Sequence, residues 1–381
     1  MAQTVDFLRE YLYSHHRLYY FYHFFRQFPH KEYFDNVKDL LMPPNDGARR
    51  NFQFRTYGPL NKDKALYYIK IDTSAGLMAF YFRTAKMLTV ASFFGFVPVI
   101  EWKSLLYQRD NYINDGDNIF DYYFEPICGI SAADAVQSYN VALADYSHSI
   151  IPESRGPINY IPSNERDALY AKAVNKFITL NSATQAHVSG KINNILEGKK
   201  TLGIHVRGGS FKDNLLGHPV AIDPTEHIAE AKKAISEYGF ERIFLATDEE
   251  ETVATFKKVF GSMVVSYDDV TRTAGDNFDL PHLALSMRGS RPDHGYLMGL
   301  EVVTDVYTLA ACQGLIAGMS NVPLAAVYAN GDNYELKHFI SKGIAGDGTP
   351  GIEIEKSRAG QYKKEYDRLK KLKEGEHEKH V

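Results

Sequence analysis

Apolar residues follow two periods along this chain, and the two alternate. Residues 65–71 carry Leu66, Tyr67, Tyr68 and Ile69 as an unbroken run, the pattern of a strand buried on both faces. Asp72-Thr-Ser-Ala-Gly76 breaks it, a helical period covers 77–94, and Gly95 offers a stop before a second apolar run at 97–102. Strand, glycine turn, helix and strand make a βαβ pattern. An irregular aromatic stretch follows from 115 to 130, and the spacing then predicts two helices between 163 and 196. The second half predicts a strand at 202–206, then a helix opened by Asp223-Pro-Thr-Glu226, with an Asp N-cap, Pro in the first turn and Glu at N3. A strand at 242–247, a helix at 248–260 and a short strand at 263–266 come next. Then come a long loop at 267–298, a helix at 301–312, a strand at 314–317 and a helix opened by Val322-Pro323.

Strands alternating with helices predict parallel, doubly wound sheets, an α/β fold. With 381 residues, two domains are expected. The first is an N-terminal α/β domain at 1–180 with a helical extension. The second is a Rossmann-like domain at 181–335, and a basic helical tail follows at 336–381. Two such halves meeting near residue 180 would leave a cleft between them. The tail from Lys356 to Lys373 holds eight basic residues against two acidic, with Tyr362, Tyr366, Leu369 and Leu372 at helical spacing. Near the other end lies the aromatic stretch Leu18-Tyr-Tyr-Phe-Tyr-His-Phe-Phe-Arg-Gln-Phe28. For both segments the pattern leaves open a helix docked on the body or a peripheral membrane contact.

Composition narrows the class without naming it. A net charge of −4 gives no general reason to expect nucleic-acid binding, and the basic residues gather in the tail rather than along an aromatic groove. Two cysteines, Cys128 and Cys312, far apart in sequence, argue against a disulfide scaffold or a cysteine metal site. No run of 18 apolar residues suggests a membrane span, and the first residues lack a signal peptide's basic region and apolar core. The expectation is a cytoplasmic protein, free or held at the inner face of a membrane.

Candidate chemistry gathers where predicted strands end. Leu202-Gly-Ile-His-Val-Arg-Gly-Gly-Ser210 delivers His205 and Arg207 to a strand's carboxyl edge and then breaks into glycines. A guanidinium binds phosphate oxygens bidentately, and glycines let the backbone approach; a strand-ending surface salt bridge is the plain alternative. Ala246-Thr247-Asp248 ends the next strand, where Asp248 reads either as a ligand contact or as an N-cap completed by Glu251. In Val303-Thr304-Asp305-Val306 a carboxylate stands early in an apolar helix, able to accept two hydrogen bonds from guanine or to complement the helix dipole. Gly318-Met-Ser-Asn-Val-Pro323 leads a strand into a helix start, where Ser320 and Asn321 serve either an anion or ordinary capping.

In this order the motifs resemble the fucosyltransferase superfamily that contains the core α1,6-fucosyltransferases and the rhizobial nodulation fucosyltransferases. The matching features are His205-Val206-Arg207, His218-Pro219, Ala246-Thr247-Asp248, the helix from Gly299 to Asp305 and the Ser320 turn. Ala75-Gly76 and Phe124-Glu-Pro-Ile127 match more loosely, and the resemblance runs over roughly residues 65–330. It implies a GT-B-like fold of two Rossmann-like domains facing a cleft. It further implies GDP-fucose as donor, a glycan as acceptor, inversion at the anomeric carbon, and no metal or other cofactor. On the same resemblance Arg207 binds the β-phosphate and stabilises the leaving GDP. His205 and Asp305 hold the guanosine, and Gly76, Ser320 and Asn321 contact phosphates or ribose, with Asp248 at the donor side.

The chain departs from that pattern at two places. The core α1,6 enzymes carry a second arginine directly after the first, where this chain has Gly208. The following loop is one residue shorter, leaving Asp213 as the candidate general base and Lys212 as a phosphate support; plain exposed loop charges are the alternative. The loop bearing Arg288, Arg291, Asp293, His294 and Tyr296 either closes over a substrate or is surface. Two alternatives to a fucosyltransferase therefore stay open: transfer from another GDP- or UDP-sugar, and a catalytically inactive nucleotide- or glycan-binding protein.

Overall fold

The structure is a computed structural model. It describes residues 52–73, 75–110, 117–145, 148–150, 162–208, 218–272 and 291–345, together with Tyr11, His15, Leu18 and Tyr22. Residues 346–381 of the expected basic tail, Arg288 and the loop bearing Lys212 and Asp213 lie outside the described residues.

The first sheet contains β1 (Gln53–Arg55), β2 (Leu66–Asp72), β3 (Val97–Lys103) and β4 (Val141–Leu143) in the order β1-β4-β2-β3. β2 pairs in parallel with β3 and β4, and β1 closes the edge antiparallel to β4. Neither β1 nor β4 was legible in the sequence, because three-residue strands leave no period to read. Between β2 and β3 runs α1 (Leu77–Phe94), ended by Gly95 in the left-handed conformation. Trp102 of β3 is fully buried and donates its indole N–H to the Thr84 hydroxyl of α1 at 2.9 Å. The aromatic stretch that follows is less irregular than expected: Asn118 caps a short α2 (Ile119–Tyr123). α3 (Ala132–Ala135) precedes β4.

After α4 (Asn164–Phe177) and α5 (Ser182–Leu196) the second sheet begins. Its strands are β5 (Thr201–Val206), β6 (Arg242–Thr247), β7 (Val264–Val265), β8 (Gly314–Gly318) and β9 (Leu336–Ile340). All are parallel, in the order β7-β6-β5-β8-β9. β5 and β6 are buried at every position, which explains their continuous apolar character. The connecting helices are α6 (Pro224–Tyr238), α7 (Glu250–Phe260), α8 (His294–Ala311) and α9 (Asn321–Asn330). The α/β class with parallel sheets is thus as the sequence predicts. The second sheet extends past the expected boundary at 335, since β9 pairs with β8 from Leu336 to Ile340. One apolar cluster contains α1, α4, α8 and α9 and touches both sheets, so the two halves share a core.

The start of α8 corrects the sequence reading, which kept a loop to 298. Gly295 and Gly299 look like breakers, but each is a point of close approach. A Cβ at Gly295 would lie 2.7 Å from the carbonyl oxygens of Leu106 and Gln108, and one at Gly299 would overlap the Tyr123 hydroxyl. That hydroxyl donates to the Tyr296 carbonyl at 2.9 Å, with the two rings stacked. Gly299→Ala is accordingly expected to cost about 1–3 kcal/mol of stability through overpacking, read as a lowered Tm. An unchanged Tm would mean that this contact between α2 and α8 is absent.

The loop residues proposed to close over a substrate have structural partners instead. Arg109 stacks over Tyr296 at 3.6 Å and pairs with Asp293 at 2.8 Å. Arg291 reaches Glu301 at 2.5 Å and the His294 ring at 3.1 Å. Near the N-terminus, Tyr11, Leu18 and Tyr22 are helical and exposed, and the rest of the aromatic stretch at 18–28 lies outside the described residues. Among the described residues no helix is long and apolar enough to cross a membrane.

Candidate functional site

The strand order of the second sheet locates a crevice before any side chain is considered. Counted along the chain, its strands lie 3-2-1-4-5, so the winding reverses between β5 and β8. In open α/β sheets ligands bind outside the carboxyl ends of the strands at such a reversal. β5 runs out there into Arg207 and Gly208, and β8 runs out into Met319, Ser320 and the start of α9.

Arg207 is fixed rather than free. Its guanidinium meets the Asp248 carboxylate at 2.6 Å, and the other oxygen of Asp248 accepts the Gly208 N–H at 2.9 Å. Asp248 comes from the tip of β6, the neighbouring strand, so sheet register sets this clamp. It is not the helix cap that its sequence neighbourhood suggests. α7 begins at Glu250, with Glu249 in the N-cap position and no side-chain capping bond. Gly208 has a packing reason as well, because a Cβ there would overlap the Glu249 carboxyl group. That carboxyl accepts from the Thr252 hydroxyl at 3.0 Å and fills the space a larger residue 208 would need.

His205, on β5, is 5% exposed, and its Nδ1 has no hydrogen-bond partner. Burial, and then the Arg207 charge, push this imidazole down to about 3, so it is neutral at physiological pH. A neutral ring with an unused nitrogen suits a hydrogen bond to a ligand, not charge compensation.

Ser320 and Asn321 do not act as ordinary caps. Ser320 occupies the N-cap position of α9 with extended backbone, yet makes no side-chain capping bond. Its buried hydroxyl oxygen and the buried Asn321 Oδ1 have no partner. Unpaired buried polar atoms are costly and uncommon, and here they stand at a helix N-terminus whose exposed N–H groups and dipole favour an anion.

Asp305 lies well inside α8 rather than early in a helix, which removes the dipole alternative. Burial pushes its carboxyl up to about 7; Arg272 opposes the shift, while Glu301 and Asp248 add to it. Gly76 stands at the tip of β2 just before α1, and the next N–H, of Leu77, donates to the Tyr107 hydroxyl at 2.9 Å. Burial raises the Tyr107 phenol and the Arg207 charge lowers it, so Tyr107 feels Arg207 across the two halves. Tyr107 lies in the turn after β3, away from any motif, and nothing in the sequence singled it out. A larger recess of about 100 Å³ between α5 and α8 is bordered by the Lys191–Asp269 and Arg291–Glu301 ion pairs. None of the predicted site residues lines it.

No protein-family model matches the chain, and no curated protein matches it. Among solved structures it is similar to the fucosyltransferase NodZ from Bradyrhizobium, at 15% identity and TM-score 0.42, covering 70% of this chain and 92% of that one. The NodZ alpha-1,6-fucosyltransferase co-crystallized with GDP matches at 16% identity and TM-score 0.42 over the same shares. POFUT1 in complex with GDP matches at 8% identity and TM-score 0.42, covering 72% of this chain and 98% of that one.

Proposed function

We propose that this protein is an inverting, metal-independent glycosyltransferase that moves fucose from GDP-fucose to a hydroxyl of a glycan. The observation that carries the reading is the crevice between β5 and β8. There a clamped arginine and a helix N-terminus with two orphaned polar side chains gather at one sheet reversal. That arrangement suits a diphosphate whose charge is met by protein dipoles and one guanidinium. Fucose itself rests on the order of the sequence motifs.

In this mechanism the bond between the sugar's anomeric carbon and the β-phosphate oxygen breaks as the acceptor oxygen bonds to the opposite face of that carbon. Arg207 and the N–H groups of α9 stabilise the charge gathering on the departing GDP. The acceptor hydroxyl loses its proton to a general base, for which Asp213 remains the candidate. His205, held neutral, and Asp305 bind the guanosine.

Guanine offers two donors, on N1 and N2, and only an ionised Asp305 can accept both. With the free carboxyl near 7, protonation competes with guanine below that pH. GDP affinity is therefore expected to rise as pH is raised through about 7, falling about tenfold per unit on the acid side. Asp305→Asn is expected to weaken GDP binding about 10–100-fold, the worth of a charge-assisted pair, and to flatten this limb. Calorimetric titration across pH checks both. Unchanged affinity and base preference in the variant would remove the guanine assignment.

One observation favours a second reading, a catalytically inactive nucleotide- or glycan-binding protein. The Glu249 carboxyl fills the space beside Gly208, where the resemblance calls for a second arginine. Incubation with GDP-fucose and a panel of glycan acceptors separates the two: transferred fucose supports the enzyme, and donor binding without product supports the binding protein.

A further inference from the structure

His227 has no role in the reading above, yet it faces the same crevice. It lies in the first turn of α6, is 1% exposed, and was not singled out by the sequence. With Arg207, Ile222, Gly318 and Met319 it lines a recess of about 10 Å³. That is room for one water-sized group, such as a single phosphate oxygen. Nδ1 of the ring faces the Asp223 carbonyl at 3.3 Å, whereas Nε2 has no hydrogen-bond partner. A Cβ on Gly318 would stand 3.9 Å from Nε2, so this nitrogen looks across the last residue of β8 towards the backbone entering α9. A buried ring nitrogen left unpaired beside an arginine and a helix N-terminus is an unfilled contact.

The tautomer decides what that contact takes. A carbonyl can only accept, so Nδ1 carries the proton, and Nε2 of the neutral ring presents a lone pair. A lone pair repels a phosphate oxygen; a protonated Nε2 attracts it. The site needs such a cation, since residue 208 supplies no side chain and Glu249 brings an acidic group beside it.

We propose that His227 takes up a proton when the donor's diphosphate binds and donates from Nε2 to a phosphate oxygen, supplying the second cation of the site. The proposal rests on the nucleotide-donor reading. In the free protein burial holds the imidazole below its ordinary value, so it starts neutral. Asp223 and Glu226 on its own helix favour the charged form, and His338 of β9 opposes it. Arg207 lines the same recess, and Lys342 is paired with Glu226 at 2.6 Å. A phosphate dianion at Nε2 adds the largest charge to that set and reverses the balance.

Calorimetric titration of GDP into the wild-type protein and His227→Gln at pH 7.5, in two buffers of different ionisation enthalpy, measures the protons taken up. Wild type is expected to take up more than the variant, by a difference approaching one proton per GDP, about the change of a single titrating group. The variant is also expected to bind GDP about tenfold more weakly, as loss of one charged contact implies, with guanosine affinity unchanged. Any proton released at Asp305 is common to both proteins and cancels. Equal proton uptake in the two proteins, or equal GDP affinity, overturns the role of His227 while leaving the donor reading intact. No GDP binding to wild type at all defeats the donor reading itself, and the proposal with it. Should the variant not fold, the wild-type His227 ring carbon–proton NMR signals decide alone: a shift to imidazolium positions on adding GDP is expected, and unmoved signals refute the proposal.

Discussion

Arg207→Ala is expected to lower turnover by about 10²–10³-fold, the usual effect of removing one preorganised donor from a transition state that gathers charge. The guanidinium is the one side-chain cation that β5 delivers to the sheet reversal. It is held in place before any ligand arrives, so little reorganisation is needed as the glycosidic bond breaks. Arg207 is about one-fifth exposed, and its partner Asp248 lies at the surface of the same crevice. The alanine variant should therefore fold, with Tm close to wild type. Arg207→Lys should recover only part of the loss, because an ammonium cannot hold Asp248 and a phosphate in the same planar geometry. Initial rates with GDP-fucose, set beside melting curves, give the answer. Near wild-type activity in the alanine variant would remove Arg207 from the mechanism.

Asp248→Ala is expected to be the next most damaging change, lowering kcat by about 10–100-fold, the range for misplacing a reacting group by an ångström. One oxygen of Asp248 fixes the guanidinium and the other fixes the Gly208 N–H, so the substitution releases side chain and backbone together. The loss should fall on kcat more than on KM, because Arg207 keeps its charge but loses its aim. Asp248→Asn should do less harm, since an amide oxygen can still accept from Gly208. Equal effects of the two substitutions would point to the charge of Asp248 rather than its geometry.

The sequence made the sheets legible where strands are buried on both faces, as at β2, β5 and β6, and where a helix start carries its own chemistry, as at Asp223. It misled where one residue type serves two physical purposes. Gly295 and Gly299 read as breakers because a glycine's close approach to another element is invisible without that element. Asp248 stayed open between a cap and a ligand contact because its neighbours suit a cap, whereas its partner ends the adjacent strand, 41 residues away. Ser320 and Asn321 were marked in the sequence, but only folding shows that Ser320 makes no capping bond and that both side chains keep a buried unpaired oxygen. Tyr107 and His227 reach the crevice through folding alone and left no local pattern.

The most direct test of the central claim is the melting temperature of the protein with GDP, UDP, ADP and GDP-fucose, each in the presence of EDTA. A ligand that binds only the folded state raises Tm with its occupancy. A guanosine-diphosphate site that works without metal should give a rise with GDP and GDP-fucose alone, unaffected by the chelator and lost in Arg207→Ala. Equal shifts with UDP or ADP, a shift that appears only when a divalent ion replaces EDTA, or no shift with any nucleotide would contradict it.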